Sequence, residues 1–359
     1  RPLRHDDALL LVNAAMVQGS AAPYARFLAA AAPAAAVAGA LPDPAERLGL
    51  GSNAWAFGAQ VTDSGRGILV GNPHFPWSGS NRFRRVHFTI PGKLDVMGAG
   101  LVASPFIAIG FNKDVAWTHT VTTSQHQTLY RLALDPADPA AYLVDGKREA
   151  MTRRQITVEV QDAAPVTRTL YASRWGPMIA IPAAGLGWSS TQAYAFADAN
   201  QANFRSGDAW LGIARARSVE QLRDVIAKTL GIPYVNTVAA DRAGHTLYAD
   251  ITAVPNVSAK KLDQCGVGQG NKPDSDTPAI FILDGSYAAC AWDVDRSTPV
   301  PGLMPLKQLP VAIRTDYLQN SNDSYWLSNP HAAFAPLSPI LGPYGTRQNL
   351  RTRSAIAVL

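Results

Sequence analysis

The sequence predicts an α+β fold, in which a β-rich region receives its helices in separate blocks. Three observations support this prediction. Short apolar runs of strand length, several of them alternating polar and apolar residues, dominate from residue 53 to about residue 171. Two segments with helical spacing of apolar residues follow at 206–214 and 219–230, and strand-like sequence then returns. The 359 residues contain no internal repeat and suffice for one large domain or two ordinary ones.

Residues 1–51 differ from the rest of the chain in composition and in the pattern of their apolar residues. Apolar residues fall on one helical face and predict a helix over 8–18. An Ala/Pro-rich stretch and the breaker-rich segment 41–44 follow, with little that can pack. Because the sequence opens without Met, we interpret it as an excerpt of a longer precursor, in which a signal peptide can lie upstream.

Three hairpins are predicted after this stretch. The first joins an apolar run at 54–61 to residues 68–70 through a turn rich in Gly, Ser and Asp. The others pair 156–160 with 166–171, and 234–239 with 246–252. A further strand over 85–90 alternates polar and apolar residues and ends at a Pro-Gly turn.

The predicted helix over 219–230 has clear boundaries. Ser218 precedes it as a candidate N-cap, and Gly231-Ile232-Pro233 ends it. After Val254 the sequence is rich in Pro and Gly and predicts irregular structure until Tyr317.

Composition excludes two classes of function. The net charge is +5 and the pI about 9.2, but the basic residues form only short, scattered groups, which does not favour nucleic-acid binding. No apolar run reaches the roughly 18 to 20 residues of a membrane helix, so no membrane span is predicted.

The only two cysteines are Cys265 and Cys290. Their separation by a Gly/Pro/Asp-rich loop does not fit a CxxC redox or zinc motif. Two interpretations remain at this point: a disulfide that closes the loop and implies an oxidising compartment, or two unrelated buried thiols.

Familiar catalytic motifs are missing, among them GxSxG, HExxH, the P-loop and GxGxxG before a helix. His119 and His126 lie seven residues apart, but their surroundings are strand-like. We therefore interpret them as polar residues at a sheet edge rather than as metal ligands.

Ser52 is distinguished by its context. Gly-Ser pairs occur elsewhere in this chain, at Gly19-Ser20, Gly79-Ser80 and Gly285-Ser286. Only Ser52 stands where the poorly packing segment meets the first strand, after a small Gly51 that allows close approach to its carbonyl.

Six short motifs then occur in an order that resembles the penicillin acylase family of N-terminal nucleophile hydrolases, and within it the acyl-homoserine lactone acylases and aculeacin-type acylases. The motifs are Gly51-Ser52-Asn53-Ala54, Asn72-Pro73-His74-Phe75-Pro76-Trp77, Thr89-Ile90-Pro91-Gly92 with Asp95-Val96-Met97-Gly98, Ile109-Gly110-Phe111-Asn112, Ala116-Trp117-Thr118-His119-Thr120-Val121, and Gln319-Asn320-Ser321-Asn322-Asp323-Ser324.

This resemblance implies an αββα four-layer sandwich with antiparallel sheets and a precursor that cuts its own Gly51–Ser52 bond. Residues 1–51 would be the end of an α chain plus a spacer, and residues 52–359 the first and central part of the β chain. The two would remain together as a heterodimer. The cysteines also look like the family's disulfide pair.

The resemblance also implies the catalytic groups. Ser52 would be the nucleophile, and its freed α-amino group the base; such a group has a pKa of about 7.7 to 8.0, far nearer neutrality than lysine at about 10.4. His74 would steer the new amine. The backbone N–H of Val121 and the side chain of Asn322 would bind the oxyanion, with Asn320 as the competing candidate. Arg347 would stabilise the amine and Asn322, with Arg351 and Arg353 as the alternatives.

The residues that would line the acyl pocket are Phe75, Leu101, Val121, Trp210 and Tyr234. Lipid-acyl members tend to carry tryptophan at the last two of these positions, so Tyr234 puts the chain-length preference in doubt. Each aromatic has packing in the core as its alternative interpretation.

The function implied is hydrolysis of the amide bond of small N-acyl substrates, such as acyl-homoserine lactones (hence quorum quenching) or lipopeptides, by a secreted or periplasmic enzyme without a cofactor. Some relatives hold a structural calcium, but no ligand cluster here is specific enough to predict one. Two alternatives stay open: an acylase of penicillin V type on the same fold, and a catalytically silent secreted binding protein.

Overall fold

The structure is a computed structural model that describes residue 4 and residues 6–33, 51–79, 81–102, 104–268 and 280–359. The segment 41–44 lies outside the described residues. The α-helices are α1 (Asp7–Met16), α2 (Ala25–Ala29), α3 (Ser206–Arg215), α4 (Val219–Thr229), α5 (Ala259–Cys265) and α6 (Leu350–Ala357).

The strands, in chain order, are β1 (Gly51–Phe57), β2 (Ile68–His74), β3 (Phe83–Ile90), β4 (Leu94–Leu101), β5 (Ile109–Phe111), β6 (Val115–Val121), β7 (Gln127–Asp135), β8 (Asp138–Val144), β9 (Lys147–Ala150), β10 (Thr152–Val158), β11 (Val166–Ser173), β12 (Gly176–Ile179), β13 (Gln192–Asp198), β14 (Val235–Asp241), β15 (Thr246–Ala249), β16 (Ile282–Asp284), β17 (Val311–Arg314) and β18 (Tyr317–Asn320).

These strands form three sheets that are antiparallel except at one pair. The first has the order β18-β1-β2, the second β17-β15-β14-β6-β5-β4-β3, and the third β10-β11-β12-β13-β7-β8-β9, in which β16 pairs with β7 in parallel. The mixture of these sheets with separate helices confirms the predicted α+β class.

The first two sheets pack face to face. Burial alternates strictly along β1, where Ser52, Ala54 and Ala56 face the seven-stranded sheet and are almost fully buried. The strands β1 and β2 contact β6, and the helices α3 and α4 cover the other face of the same sheet. This gives the order helix, sheet, sheet of the predicted sandwich and places Ser52 between the two sheets.

The segment upstream of the strands packs into the molecule rather than standing apart. Phe27 in α2 is fully buried beside Tyr24, Phe196 and Ile181, and α2 contacts β11 and β12. The division at residue 51 into two chains stays a prediction.

The predicted elements are largely recovered, with shifted ends. The helix over 8–18 is α1 continued by a 3-10 turn over Val17–Gly19. The three hairpins are the pairs β1–β2, β10–β11 and β14–β15. Ser218 caps α4, since its hydroxyl accepts the N–H of Gln221. The region between Val254 and Tyr317 is more regular than predicted, because it contributes α5, β16 and β17.

Cys265 and Cys290 form a disulfide, as predicted, with their Cα atoms 5.5 Å apart. It joins the end of α5 to the 3-10 turn Ala288–Cys290. Among the residues described, no helix is long and apolar enough to span a bilayer.

Candidate active site

Ser52 lies near the start of the central strand of the three-stranded sheet, and its side chain is 1% exposed. Its hydroxyl donates to the carbonyl oxygen of Gly51 at 2.5 Å. Its backbone N–H donates to Asn322 Oδ1, also at 2.5 Å. The hydroxyl therefore lies directly against the peptide bond that the predicted cleavage would break.

Space, rather than backbone conformation, favours glycine at position 51. A Cβ added to it would lie 3.1 Å from His74 Nδ1 and 3.4 Å from Asn322 Oδ1. His74 stands opposite Gly51 in the β1–β2 register, and its side chain is exposed. The pairing places the imidazole beside Gly51, and its role in steering the Ser52 amine stays a prediction.

Asn322 occupies the centre of the site in a left-handed backbone conformation, with φ of 63°. Such a conformation is costly for most residues, is most accessible to Asn among side chains with a Cβ, and clusters at functional sites. Its Oδ1 accepts from Ser52, and its Nδ2 donates to the carbonyl of Val121 at 2.9 Å. One amide thus bridges the candidate nucleophile and the end of β6.

Asn320, the competing candidate, is occupied by structural bonds. Its Oδ1 accepts from Thr120 Oγ1 at 2.6 Å and from the N–H of Asn322 at 3.0 Å, and its Nδ2 donates to the carbonyl of Asp323 at 3.0 Å. It is 2% exposed. The geometry favours Asn322 as the oxyanion donor, with Asn320 holding the backbone of Asn322.

The direction of the Val121 amide follows from strand pairing. Thr122 donates its N–H to Tyr234 across the β6–β14 ladder, so that pair is a hydrogen-bonded one. Hydrogen bonds alternate along antiparallel strands, and Val121, opposite Val235, therefore points its N–H and C=O away from β14. Since the carbonyl meets Asn322 there, the N–H lies on the same side, facing the site.

The structure brings Arg351, rather than Arg347, to this site. Arg351 Nη1 donates to the carbonyl of Ser52 at 2.9 Å, to Asn53 Oδ1 at 2.8 Å and to Asn322 Oδ1 at 3.1 Å. Arg347 is exposed and forms none of these contacts with the described residues. The contact expected of Arg347 is therefore made by the alternative named from the sequence.

The start of α6 explains this choice. Asn349 caps the helix by accepting the N–H of Thr352, and Asp323 accepts the N–H of Asn349 at 2.9 Å. These bonds tie the first turn of α6 to the loop that carries Asn322. Arg351, in that turn, therefore faces Ser52. Partial burial lowers the pKa of Arg351, opposed by the charge of Asp323, and the group remains a cation.

An apolar cavity with about 650 Å³ of empty space, partly open to solvent, begins at Ser52. Four of the five predicted pocket residues line it: Phe75, Leu101, Trp210 and Tyr234. Val121, the fifth, is not among the residues that line the cavity.

Tyr234 is held by the upstream segment. Its hydroxyl donates to Gln18 Oε1 at 3.2 Å, and Gln18 Nε2 donates to Asn81 Oδ1 at 2.9 Å. Gly19 lies so close that a Cβ there would overlap the Tyr234 side chain at 2.4 Å. The phenol oxygen is thereby occupied by a partner, and burial raises the pKa of Tyr234.

The sequence missed several wall residues. Ala15 and Met16 line the cavity from α1, and His119 lines it from β6. The interpretation of His119 and His126 as polar residues at a sheet edge is wrong. His119 lies on the central strand β6, His126 directly precedes β7, and the two residues are only 7% and 2% exposed. No feature of the sequence signals that α1 reaches the cavity.

The two histidines do not share a metal site, since each directs Nδ1 to a different carbonyl, Asn236 or Ala253. Among the described residues, the one group of three side chains suited to a metal is Glu220, Asp241 and His245. The Asp241 carboxylate already accepts the N–H of Val219, at the start of α4, where the helix dipole disfavours a cation. The group fits a helix cap better than a metal centre.

The chain is similar to known proteins in sequence and in fold. A family model described as penicillin amidase matches residues 3–359. The chain is 44% identical over 372 residues to the acyl-homoserine lactone acylase PvdQ of Pseudomonas fluorescens, covering 99% of this chain and 47% of that protein. It is 42% identical over 320 residues to the aculeacin-A acylase of Actinoplanes utahensis, covering 89% and 40%.

A solved structure, thermostable penicillin G acylase from Alcaligenes faecalis, superposes with a TM-score of 0.59 at 22% identity, covering 76% of this chain and 44% of that one. That likeness concerns the fold. The chain spans about half the length of the curated relatives it matches. On the matched family model and these identities, the chain belongs to the penicillin amidase family.

Proposed function

We propose that the protein is a self-processing amidohydrolase that cleaves N-acyl amides through an acyl ester on Ser52. One observation carries the proposal: the Asn322 amide bonds both the Ser52 N–H and the Val121 carbonyl, and Ser52 lines an apolar cavity. A hydroxyl nucleophile, two donors for an oxyanion and an apolar acyl site are the parts that acyl transfer needs.

The first step is cleavage of the chain itself. The Ser52 hydroxyl attacks the Gly51 carbonyl carbon, one bond away from the oxygen it already contacts. The peptide C–N bond breaks, the acyl group moves to oxygen, and Ser52 gains a free amine. Water then hydrolyses the ester, leaving a carboxylate on Gly51. The chain upstream, whose Phe27 is buried, stays bound and gives a heterodimer.

The freed amine then acts as the base. The Ser52 nitrogen that now donates to Asn322 Oδ1 would keep that partner, with the Arg351 cation 3.1 Å from the same oxygen. A neighbouring cation disfavours a second positive charge, so Arg351 lowers the pKa of the amine and keeps it neutral at working pH. His74, beside Gly51, orients it.

Substrate hydrolysis uses the same groups. Ser52 Oγ attacks the amide carbon while its proton passes to the amine, and the oxyanion accepts from the Val121 N–H and Asn322 Nδ2. The proton then moves to the leaving amine as the C–N bond breaks. A water molecule cleaves the acyl ester and releases a carboxylic acid. All these groups belong to the protein, so the proposed reaction needs no cofactor.

The apolar cavity selects the substrate class. Its wall of aromatic and aliphatic side chains favours an alkanoyl chain, and the identities to proteins named acyl-homoserine lactone acylase and aculeacin-A acylase support the same class. Hydrolysis of acyl-homoserine lactones would make the protein a quorum-quenching enzyme. The disulfide supports a secreted or periplasmic location.

The test uses the full-length protein. We expect mass spectrometry and N-terminal sequencing to find a chain that begins at Ser52, and Ser52→Ala to remain uncut. The processed protein should hydrolyse N-acyl-homoserine lactones from C6 to C12 and release the fatty acid. Phe111→Ala, at an exposed side chain outside the cavity, is the control for general damage.

Three outcomes separate the alternatives. Preference for penicillin V over every alkanoyl amide would replace the lactone assignment with a β-lactam acylase. Binding of acyl compounds without turnover would indicate a silent binding protein. Normal processing of Ser52→Ala would refute the proposed nucleophile.

A further inference from the structure

The indole of Trp210 is held at the wall of the acyl cavity by a histidine. Trp210 Nε1 donates to His119 Nε2 at 3.2 Å, and the two rings meet edge to face at 82°. Both side chains line the cavity. A buried indole N–H without an acceptor is unfavourable, so this bond fixes where the ring lies.

The hydrogen-bond partners assign the tautomer of His119. Its Nδ1 lies 3.1 Å from the carbonyl oxygen of Asn236, which can only accept. Nδ1 therefore carries the hydrogen, and Nε2 offers the lone pair that Trp210 requires. Burial lowers the pKa of His119 to about 4, so the imidazole is neutral near pH 7.

A network of buried hydrogen bonds supports His119. Asn236 lies on β14, the strand paired with β6, and its side chain donates to Thr120 Oγ1 at 3.0 Å. Tyr248 donates its hydroxyl to Asn236 Oδ1 at 3.0 Å. All these groups are nearly fully buried. Phe106 stacks on the face of the Trp210 ring, with the two ring centroids 6.3 Å apart.

We propose that His119 is a positioning residue that sets acyl-chain preference, because it fixes the Trp210 indole that bounds the cavity. The proposal rests on the function proposed above and deepens it. A ring held at its edge by His119 and on its face by Phe106 defines how much of the cavity a chain can fill. Released from His119, the indole can turn, and the depth available to the substrate changes.

Two substitutions test the roles of the two ring nitrogen atoms of His119 separately. His119→Gln places an amide oxygen near the former Nε2 and can still accept from Trp210. His119→Asn reaches only the position of Nδ1, so it keeps the Asn236 partner and loses Trp210. We expect H119Q to retain the ratio of kcat/KM for dodecanoyl over hexanoyl amides, and H119N to change it about tenfold.

His126 supplies the matched control. It is also a buried histidine that bonds a backbone carbonyl through Nδ1, and it does not line the cavity. We expect His126→Asn to lower stability without moving the chain-length ratio. An unchanged ratio in H119N, or an equal change in H126N, would overturn the proposal.

Trp210→Phe removes the same hydrogen bond from the other side and serves if the His119 variants do not fold. An unaltered ratio in W210F would likewise overturn the proposal. Calorimetry with hexanoate and dodecanoate on the full-length protein measures the affinity of the cavity for short and long chains without turnover. If the wild type hydrolyses no amide, the proposed function fails, while fatty-acid binding by H119N and H119Q still decides the role of His119.

Discussion

Replacing Asn322 by aspartate isolates one atom of the proposed oxyanion site. The carboxylate of N322D would keep an oxygen where Asn322 Oδ1 now accepts from Ser52 and Arg351, and would lose the donor at Nδ2. Aspartate also tolerates the left-handed backbone better than most residues, so the φ of 63° adds little cost. The substitution therefore keeps the size of the side chain, removes the donor that now contacts the Val121 carbonyl, and adds a negative charge.

The expected loss follows from the missing donor. Removing one oxyanion donor costs about 2.7 to 4 kcal/mol of barrier, or about 10² to 10³ in kcat. The added carboxylate repels the oxyanion, so the loss should lie at the upper end of this range. Ground-state binding of the acyl chain depends on the apolar cavity, and KM should change little by comparison.

The assay is single-turnover hydrolysis of a dodecanoyl amide by processed protein, whose cleavage at Ser52 is verified by mass. Asn320→Asp is the matched comparison, because Asn320 is occupied in structural bonds and should mainly lower stability. The reasoning would be refuted if N322D kept kcat within tenfold of wild type while N320D lost 10²-fold or more.

Three further predictions concern charge, the disulfide and the upstream segment. Activity rises with pH as the Ser52 amine loses its proton. Arg351→Met removes the cation that lowers this pKa, so the acidic limb of the kcat/KM profile should move up by about one pH unit. Arg347→Met should leave the limb in place. A shift in the Arg347 variant alone would assign this role to Arg347 instead. The double variant C265S/C290S should lose about 2 to 4 kcal/mol of unfolding free energy in a Ser52→Ala chain, measured by urea titration against the same chain with its disulfide; equal midpoints would contradict it. Phe27→Ala should lower the free energy of unfolding by about 3 to 5 kcal/mol. After processing, it should also release the upstream chain, which gel filtration would detect. Persistence of the complex would show that α2 does not hold the two chains together.

Local sequence predicted most elements of the fold. The cap at Ser218, the turn after Val61 and the alternation over residues 85–90 act over a few residues, so they can be read without the tertiary structure. The assembly of the sheets could not be predicted in this way, because β1 pairs with β18, which lies more than 250 residues further along the chain. Pairing at such distance depends on the whole core.

The candidate site divides along the same line. Gly51, Ser52 and four pocket residues could be predicted because short motifs carry them. His119 was misinterpreted because alternation along β6 does not tell whether its polar residues face solvent or a buried partner. Trp210, 91 residues away, supplies that partner.

By itself, the sequence determined the α+β class, the junction at Ser52 and the order of the motifs that follow it. The tertiary structure decided the directions of side chains and amides. The register of β6 against β14 turns the Val121 N–H towards Asn322, and the cap at Asn349 turns Arg351, not Arg347, towards Ser52. Residue type limits which chemistry a position can supply. Only packing and long-range hydrogen bonds set the direction of the side chains and backbone amides that supply it.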